Sequence, residues 1–186
     1  MTDRRMQNVQ ARLGLTNLEM SRLVDFGYFD APASKGHHLA RPGGLYDHSL
    51  NVALRLVSLS RALGVEWTRA ESPWVVGMLH DLVKCKCYRL NPDGRTYRYV
   101  QPEWPGHGVA SAMIATAELK VDLNPDEAAA IVHHMGAFGL QGRALDEFDA
   151  ALDKWPAQII ATHTADWAAA RIDEAGDWTA ERTGEP

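Results

Sequence analysis

The ten residues WVVGMLHDLV, from Trp74 to Val83, are apolar on nearly every side until they reach His80 and Asp81. A helix that is hydrophobic all round belongs in the interior of a fold. The segment therefore predicts a buried central helix that carries an imidazole and a carboxylate into the core. Ser72-Pro73 just ahead reads as its start, a serine cap followed by proline at the first helical position. A buried imidazole needs partners for both ring nitrogens, and a buried carboxylate is costly unless it is paired or metal-bound. The chain has to fold around a polar centre.

The surrounding sequence supplies helices to enclose that centre. Thr16-Asn17-Leu18-Glu19 is a capping box, and the helix it opens is expected to reach about Phe26, before Gly27 and Pro32. After Gly43-Gly44, the residues Leu50, Leu54, Val57 and Leu63 recur at steps of three to four, and Gly64 suits the end of that helix. Further helices are expected over 107–119, from Asn124-Pro125 to His134, over 143–155 and over 156–174. One stretch differs. CYRLNPDGRTYRYV, rich in tyrosine around Asn91-Pro92-Asp93-Gly94, predicts a β-hairpin. The expected fold class is all-α with one short β-hairpin insertion. The 186 residues suit a single domain, with N-terminal helices over 1–30 and a tail over 175–186 that is frayed or docked by Trp178 alone.

Composition narrows the function classes. The net charge of −5 argues against strong non-specific attraction to nucleic acid. No apolar leader and no run of about 18 apolar residues occurs, so neither a signal peptide nor a membrane span is expected, and a cytoplasmic location is. Cys85 and Cys87 are separated by one residue, too close for an ordinary disulfide and too few for a zinc knuckle. Trp67 and Trp178 are expected in the core rather than at an interface, and the oligomeric state, homo-oligomers included, is left open.

Eight histidines are present: His37, His38, His48, His80, His107, His133, His134 and His163. A divalent metal satisfies several buried imidazoles and a buried carboxylate at once. Adjacent residues on a helix diverge by about 100°, so one ion reaches both His80 and Asp81 over the helix edge between them, and other ligands must arrive from neighbouring helices. Lys84 follows Asp81 by three and His80 by four, on the same face. From there a cation can meet phosphate oxygens. His37 and His38, in a loop rich in Gly, Ala and Pro, are expected at the surface, with pocket lining as the alternative.

GGLYDHS at 43–49, MLHDLVK at 78–84, GHG at 106–108, IVHHMG at 131–136 and HTAD at 163–166 together resemble the HD-domain superfamily in content and order. The resemblance spans 43–170 and implies a helical bundle binding one or two divalent metals, usually with phosphohydrolase activity. Position by position it implies His48, His80, Asp81 and Asp166 as ligands of one ion. It adds His107 and His134 as ligands of a second ion, with Asp81 bridging. His134 is preferred to His133 because it follows Ile131 by three. His133 and His163 are assigned to the surroundings of the substrate, His163 standing three residues before Asp166. Val83 departs from the glycine frequent in the family, while Lys84 is retained.

The nitrogen and oxygen ligand set suits Mn, Fe, Co, Ni or Zn better than magnesium. Metal-activated hydroxide would attack a phosphorus while Lys84 and the metal neutralise its oxygens, with Asp81 and Lys84 as the catalytic pair. Arg89, Arg95 and Arg98 on the hairpin are candidates for gripping phosphate. The expected substrate is a small phosphorylated molecule: a nucleoside monophosphate, or a dNTP cleaved to nucleoside and triphosphate. The competing readings are a 3′–5′ exoribonuclease-like hydrolase, a di-iron oxygenase on the same fold, and a metal-binding regulatory domain.

Overall fold

The computed structural model describes residues 2–175, with side chains from residue 4 onward. The Trp178 expectation and nearly all of the tail over 175–186 lie outside the described residues. Among the described residues the fold is all-α with one two-stranded hairpin. The first two helices are α1 (Thr2–Leu13) and α2 (Asn17–Asp25). The capping box forms at α2: the Thr16 N–H donates to Glu19 Oε2 at 2.7 Å and the Glu19 N–H to Thr16 Oγ1 at 3.3 Å.

The long helix α3 (Gly44–Leu63) ends at Gly64 in the left-handed conformation, φ 65°. Its buried face differs from the expected leucine stripe. Leu54 and Leu63 face solvent, and the core takes Leu45, Val52, Ala53 and Leu56, with Ser49 and Ser60. Small residues on that face let α4 (Ser72–Leu79) approach closely. A Cβ added at Gly77 of α4 would stand 2.4 Å from Ala53 Cα, so backbone meets backbone there. Helix α4 is buried as its sequence predicts, although its cap is Glu71 rather than Ser72.

The α-helix stops at Leu79, short of His80. The backbone N–H groups of Leu82, Lys84, Cys85 and Lys86 bond three residues back, including Lys84 N–H to Asp81 O at 2.9 Å, while that of Val83 donates to Ser111 Oγ at 3.3 Å. In such 3₁₀-type turns residues i and i+3 eclipse, which stacks Lys84 over Asp81. A short helix, α5 (Lys84–Cys87), leads into β1 (Tyr88–Leu90) and β2 (Tyr97–Tyr99), paired antiparallel with Arg89 opposite Arg98.

The remaining helices close the bundle. Helix α6 (His107–Met113) continues as a π-helical turn over Ile114–Glu118. Helix α7 (Pro125–His133) follows, then α8 (Arg143–Lys154) and α9 (Pro156–Ala168), the last extended by a π-helical turn over Ala169–Asp173. A Cβ at Gly108 would lie 2.1 Å from Val132 O, so α6 and α7 also touch through backbone. Arg69 forks onto the fully buried Glu127 at 2.7 and 2.8 Å and ties the α3–α4 connection to α7. Among the described residues, no helix is long and apolar enough to cross a membrane.

Candidate metal centre

Several elements converge on one point. His48 comes from near the start of α3, His80 and Asp81 from the turn after α4, and His107 from the first residue of α6. His134 caps the end of α7, and Asp166 lies on α9. The two glycine contacts explain the convergence. Gly77 against Ala53 brings the His48 and His80 rings to 5.4 Å between centroids, and Gly108 against Val132 brings His107 and His134 to 5.4 Å.

The imidazoles are held in one orientation. His80 Nδ1 lies 2.9 Å from Gly77 O, and His134 Nδ1 lies 2.7 Å from Ile131 O. A carbonyl can only accept, so each Nδ1 carries a proton, and in the neutral ring each Nε2 presents a lone pair. His48 Nδ1 faces the Glu174 carboxylate at 3.0 Å. The Nε2 atoms of His48, His80 and His134 are all buried without a hydrogen-bond partner. A buried polar atom left in this state is costly, and a cation held among the three, beside the one carboxylate, would satisfy them together.

The spacing fits. Ligand atoms about 2.1 Å from one ion, at tetrahedral or octahedral angles, stand about 3.0–3.4 Å from each other. His48 Nε2 is 3.2 Å from Asp166 Oδ1 and 3.5 Å from Asp81 Oδ2, and His80 Nε2 is 3.3 Å from Asp81 Oδ2 and 3.9 Å from Asp166 Oδ1. The other Asp81 oxygen, Oδ1, contacts His107 Nε2 directly and lies 3.6 Å from His134 Nε2. Asp81 thus divides its oxygens between two groups able to hold a metal: His48 and His80 on one side, His107 and His134 on the other.

Charge is concentrated accordingly. Burial works against the ionised form of Asp81, but Lys84, His80 and His107 outweigh it and hold the carboxyl well below its usual range. Lys84 Nζ lies 2.6 Å from Asp81 Oδ2, and that carboxylate, against the effect of burial, holds the ammonium above the ordinary lysine range. Burial lowers His80, which favours the neutral, metal-ligating ring.

Glu174, which sequence reasoning missed, forms a layer behind the cluster with His38, whose alternative reading as pocket lining agrees with its place beside Lys84. Glu174 is buried and accepts from His48, from His38 Nδ1 at 2.5 Å and from Asn51 Nδ2 at 3.0 Å. His38 is buried rather than at the surface, whereas His37 is exposed. Glu174 lies eight residues after Asp166, outside the 43–170 span carried by the motifs. On a continuous α-helix that offset turns it about 80° away, and the extra residue of the π-helical turn returns it to within about 20°. Periodicity alone gives no sign of this.

The other expected residues are spread around the centre. His163 Nδ1 donates to His134 O at 2.7 Å, bracing the residue rather than entering the cluster. His133 packs on Phe148, 5.5 Å between ring centroids. Arg89, Arg95 and Arg98 are exposed on the hairpin, and none lines the cavity beside Lys84. The arginine that does line it is Arg171, together with Trp167, neither of which the motifs single out.

Comparison with known proteins agrees with this architecture. No match was found among curated proteins or among solved structures. The family model for the HD domain matches residues 45–176, more than half of the chain, from the His48 helix to just past Glu174. The chain belongs to the HD-domain family, whose members are in general metal-dependent phosphohydrolases.

Proposed function

We propose that this protein hydrolyses a phosphoester or phosphoanhydride of a small nucleotide, a nucleoside monophosphate or a dNTP. In this reading His48, His80, Asp81 and Asp166 hold one divalent transition metal, and Asp81, His107 and His134 hold a second. The observation that supports it best is the set of three buried, unpartnered Nε2 atoms converging on the two oxygens of Asp81. The four histidines favour Mn, Fe, Co, Ni or Zn over magnesium. A bound divalent ion acidifies water and draws negative charge from a phosphoryl group.

The chain's own residues do the rest. Lys84, kept cationic by Asp81, faces the cavity that Asp166 also lines and can meet a non-bridging phosphate oxygen there. Arg171 brings a second cation to the same cavity. The carbonyls of Gly77 and Ile131 hold His80 and His134 so that neither ring can turn its protonated nitrogen toward the cluster.

Release of phosphate from nucleoside monophosphates, and of nucleoside and triphosphate from dNTPs, measured with each of the five metals, tests the proposal. Turnover of at least one substrate, dependent on metal, is the expected result. The shared carboxylate between two ion positions also suits an oxygenase. Oxygen consumption with iron and no hydrolysis of any nucleotide would replace the hydrolase reading with that one. Preferential degradation of short RNA from its 3′ end would favour the exoribonuclease reading.

A further inference from the structure

Two clefts open beside the cluster, and they differ in chemistry. The smaller, about 240 Å³, is lined by Lys84, Asp166, Trp167, Arg171 and His38. The larger, about 430 Å³, lies among α6, α7 and α8 and is walled by Val109, Val132, Met135 and Leu140, with Ala144 and Glu147 at its edge. His107 lines the larger cleft and contacts Asp81 directly, and Met135 lines both clefts. One molecule can therefore reach from one cleft to the other past the candidate metal positions.

Charge sets its direction. The smaller cleft carries two cations, Lys84 and Arg171, beside one carboxylate, Asp166, whereas the larger one is lined by Glu147 and by no lysine or arginine. Two cations favour a phosphate in the first, while Glu147 of the second is already paired with Arg143 at 2.7 Å and leaves no cation in that lining to receive one. Size and surface agree. Pockets for small molecules run to roughly 300–1,000 Å³ and are mostly apolar with a few polar groups, which the larger cleft matches. Val109 and Met135 are 41% and 53% exposed, apolar surface that a ring system would cover. Gly106, at positive φ, adds wall without a side chain, where a flat ring can lie close to the backbone.

We propose that the larger cleft seats the base and sugar of a nucleotide whose phosphate lies beside Lys84 and Arg171. The phosphate half of this assignment rests on the phosphohydrolase reading, and the nucleoside half does not. The test is calorimetric titration of adenosine, guanosine, cytidine and uridine into the metal-loaded protein, because free nucleosides bind without turnover.

At least one nucleoside is expected to bind. Ala144→Trp, an exposed helix position at the cleft edge, should weaken it about ten-fold or more, equivalent to about 1.4 kcal/mol. Val109→Trp should do the same from the opposite wall, with metal content and unfolding temperature showing that each variant is folded. In hydrolysis assays the same variants should lower kcat/KM for the nucleotide relative to ribose 5-phosphate by a similar factor. Absence of nucleoside binding by the wild type, or wild-type affinity in both folded variants, would overturn the assignment. Nucleoside binding without release of phosphate or triphosphate from any nucleotide would retain the cleft and reject the hydrolase reading.

Discussion

Glu174 stands directly behind His48. Its Oε1 lies 3.0 Å from Nδ1, while Nε2 on the far side of the ring faces Asp166 at 3.2 Å and Asp81 at 3.5 Å. A carboxylate on the outer nitrogen of a metal-ligating histidine fixes its tautomer and raises its basicity. Glu174→Gln should therefore lower metal affinity by about 10- to 100-fold while leaving the fold intact. Competitive chelation followed by metal analysis measures this, and unchanged affinity would remove Glu174 from the centre.

Asp81 serves both halves of the cluster, whereas His107 serves one. Asp81→Ala should abolish binding of both ions. His107→Ala should leave the His48, His80 and Asp166 half and reduce the metal content from two ions per chain to one. Elemental analysis of metal-loaded variants decides the point. A wild type that binds a single ion, or a His107→Ala protein that still binds two, would rule out His107 as a ligand.

The fold and the cluster were legible in the sequence to different depths. The capping box at Thr16 and the tyrosine-rich hairpin are local patterns and form as read, and the apolar run forms a buried helix that ends at Leu79, one residue before His80. The face of α3 was misread because large leucines draw attention, while the buried side is set by small residues such as Ala53 that admit a neighbouring helix. His38 is buried by a loop, where no periodicity exists, and Glu174 is returned to the site by a π-helical turn. Arg171 could not be preferred to the hairpin arginines because the choice between them depends on tertiary placement.

The close crossing at Gly77 carries a stability prediction. Alanine there gains about 1 kcal/mol of helix propensity, but its Cβ would fall 2.4 Å from Ala53 Cα and 2.7 Å from Ala53 N, neither of which can move without shifting α3. Overpacking of this kind typically costs about 1–3 kcal/mol. Gly77→Ala should lower the denaturant midpoint and, by spreading α3 from α4, weaken metal binding through His48 and His80. A variant as stable as the wild type would show that the crossing has slack.

The cysteines give a pH-dependent signature of the native packing. Burial pushes the Cys85 thiol up to about 12 and the Cys87 thiol up to about 11. Both are free. A raised thiol pKa leaves less thiolate at a given pH, so at pH 8 a group titrating near 12 is ionised to about one part in ten thousand. Native protein should resist iodoacetamide at pH 8, and alkylation should rise only as the pH approaches 11 or on unfolding. Rapid native labelling at pH 8, followed by mass spectrometry, would contradict this.

Lys84 separates metal binding from chemistry. Its ammonium is 2.6 Å from Asp81 Oδ2 and is kept charged through the neutral range by that carboxylate. In the proposed centre the lysine is not needed to hold an ion, since the lone pairs assigned to that task belong to the imidazoles and to both aspartates. Lys84→Met keeps the length of the side chain and removes the charge. Metal content should stay at the wild-type level, while kcat should fall by about 10²- to 10³-fold, the usual effect of losing one group that stabilises developing charge. Loss of metal together with activity would instead assign Lys84 to holding Asp81 in place, and full activity with full metal would remove it from the reaction.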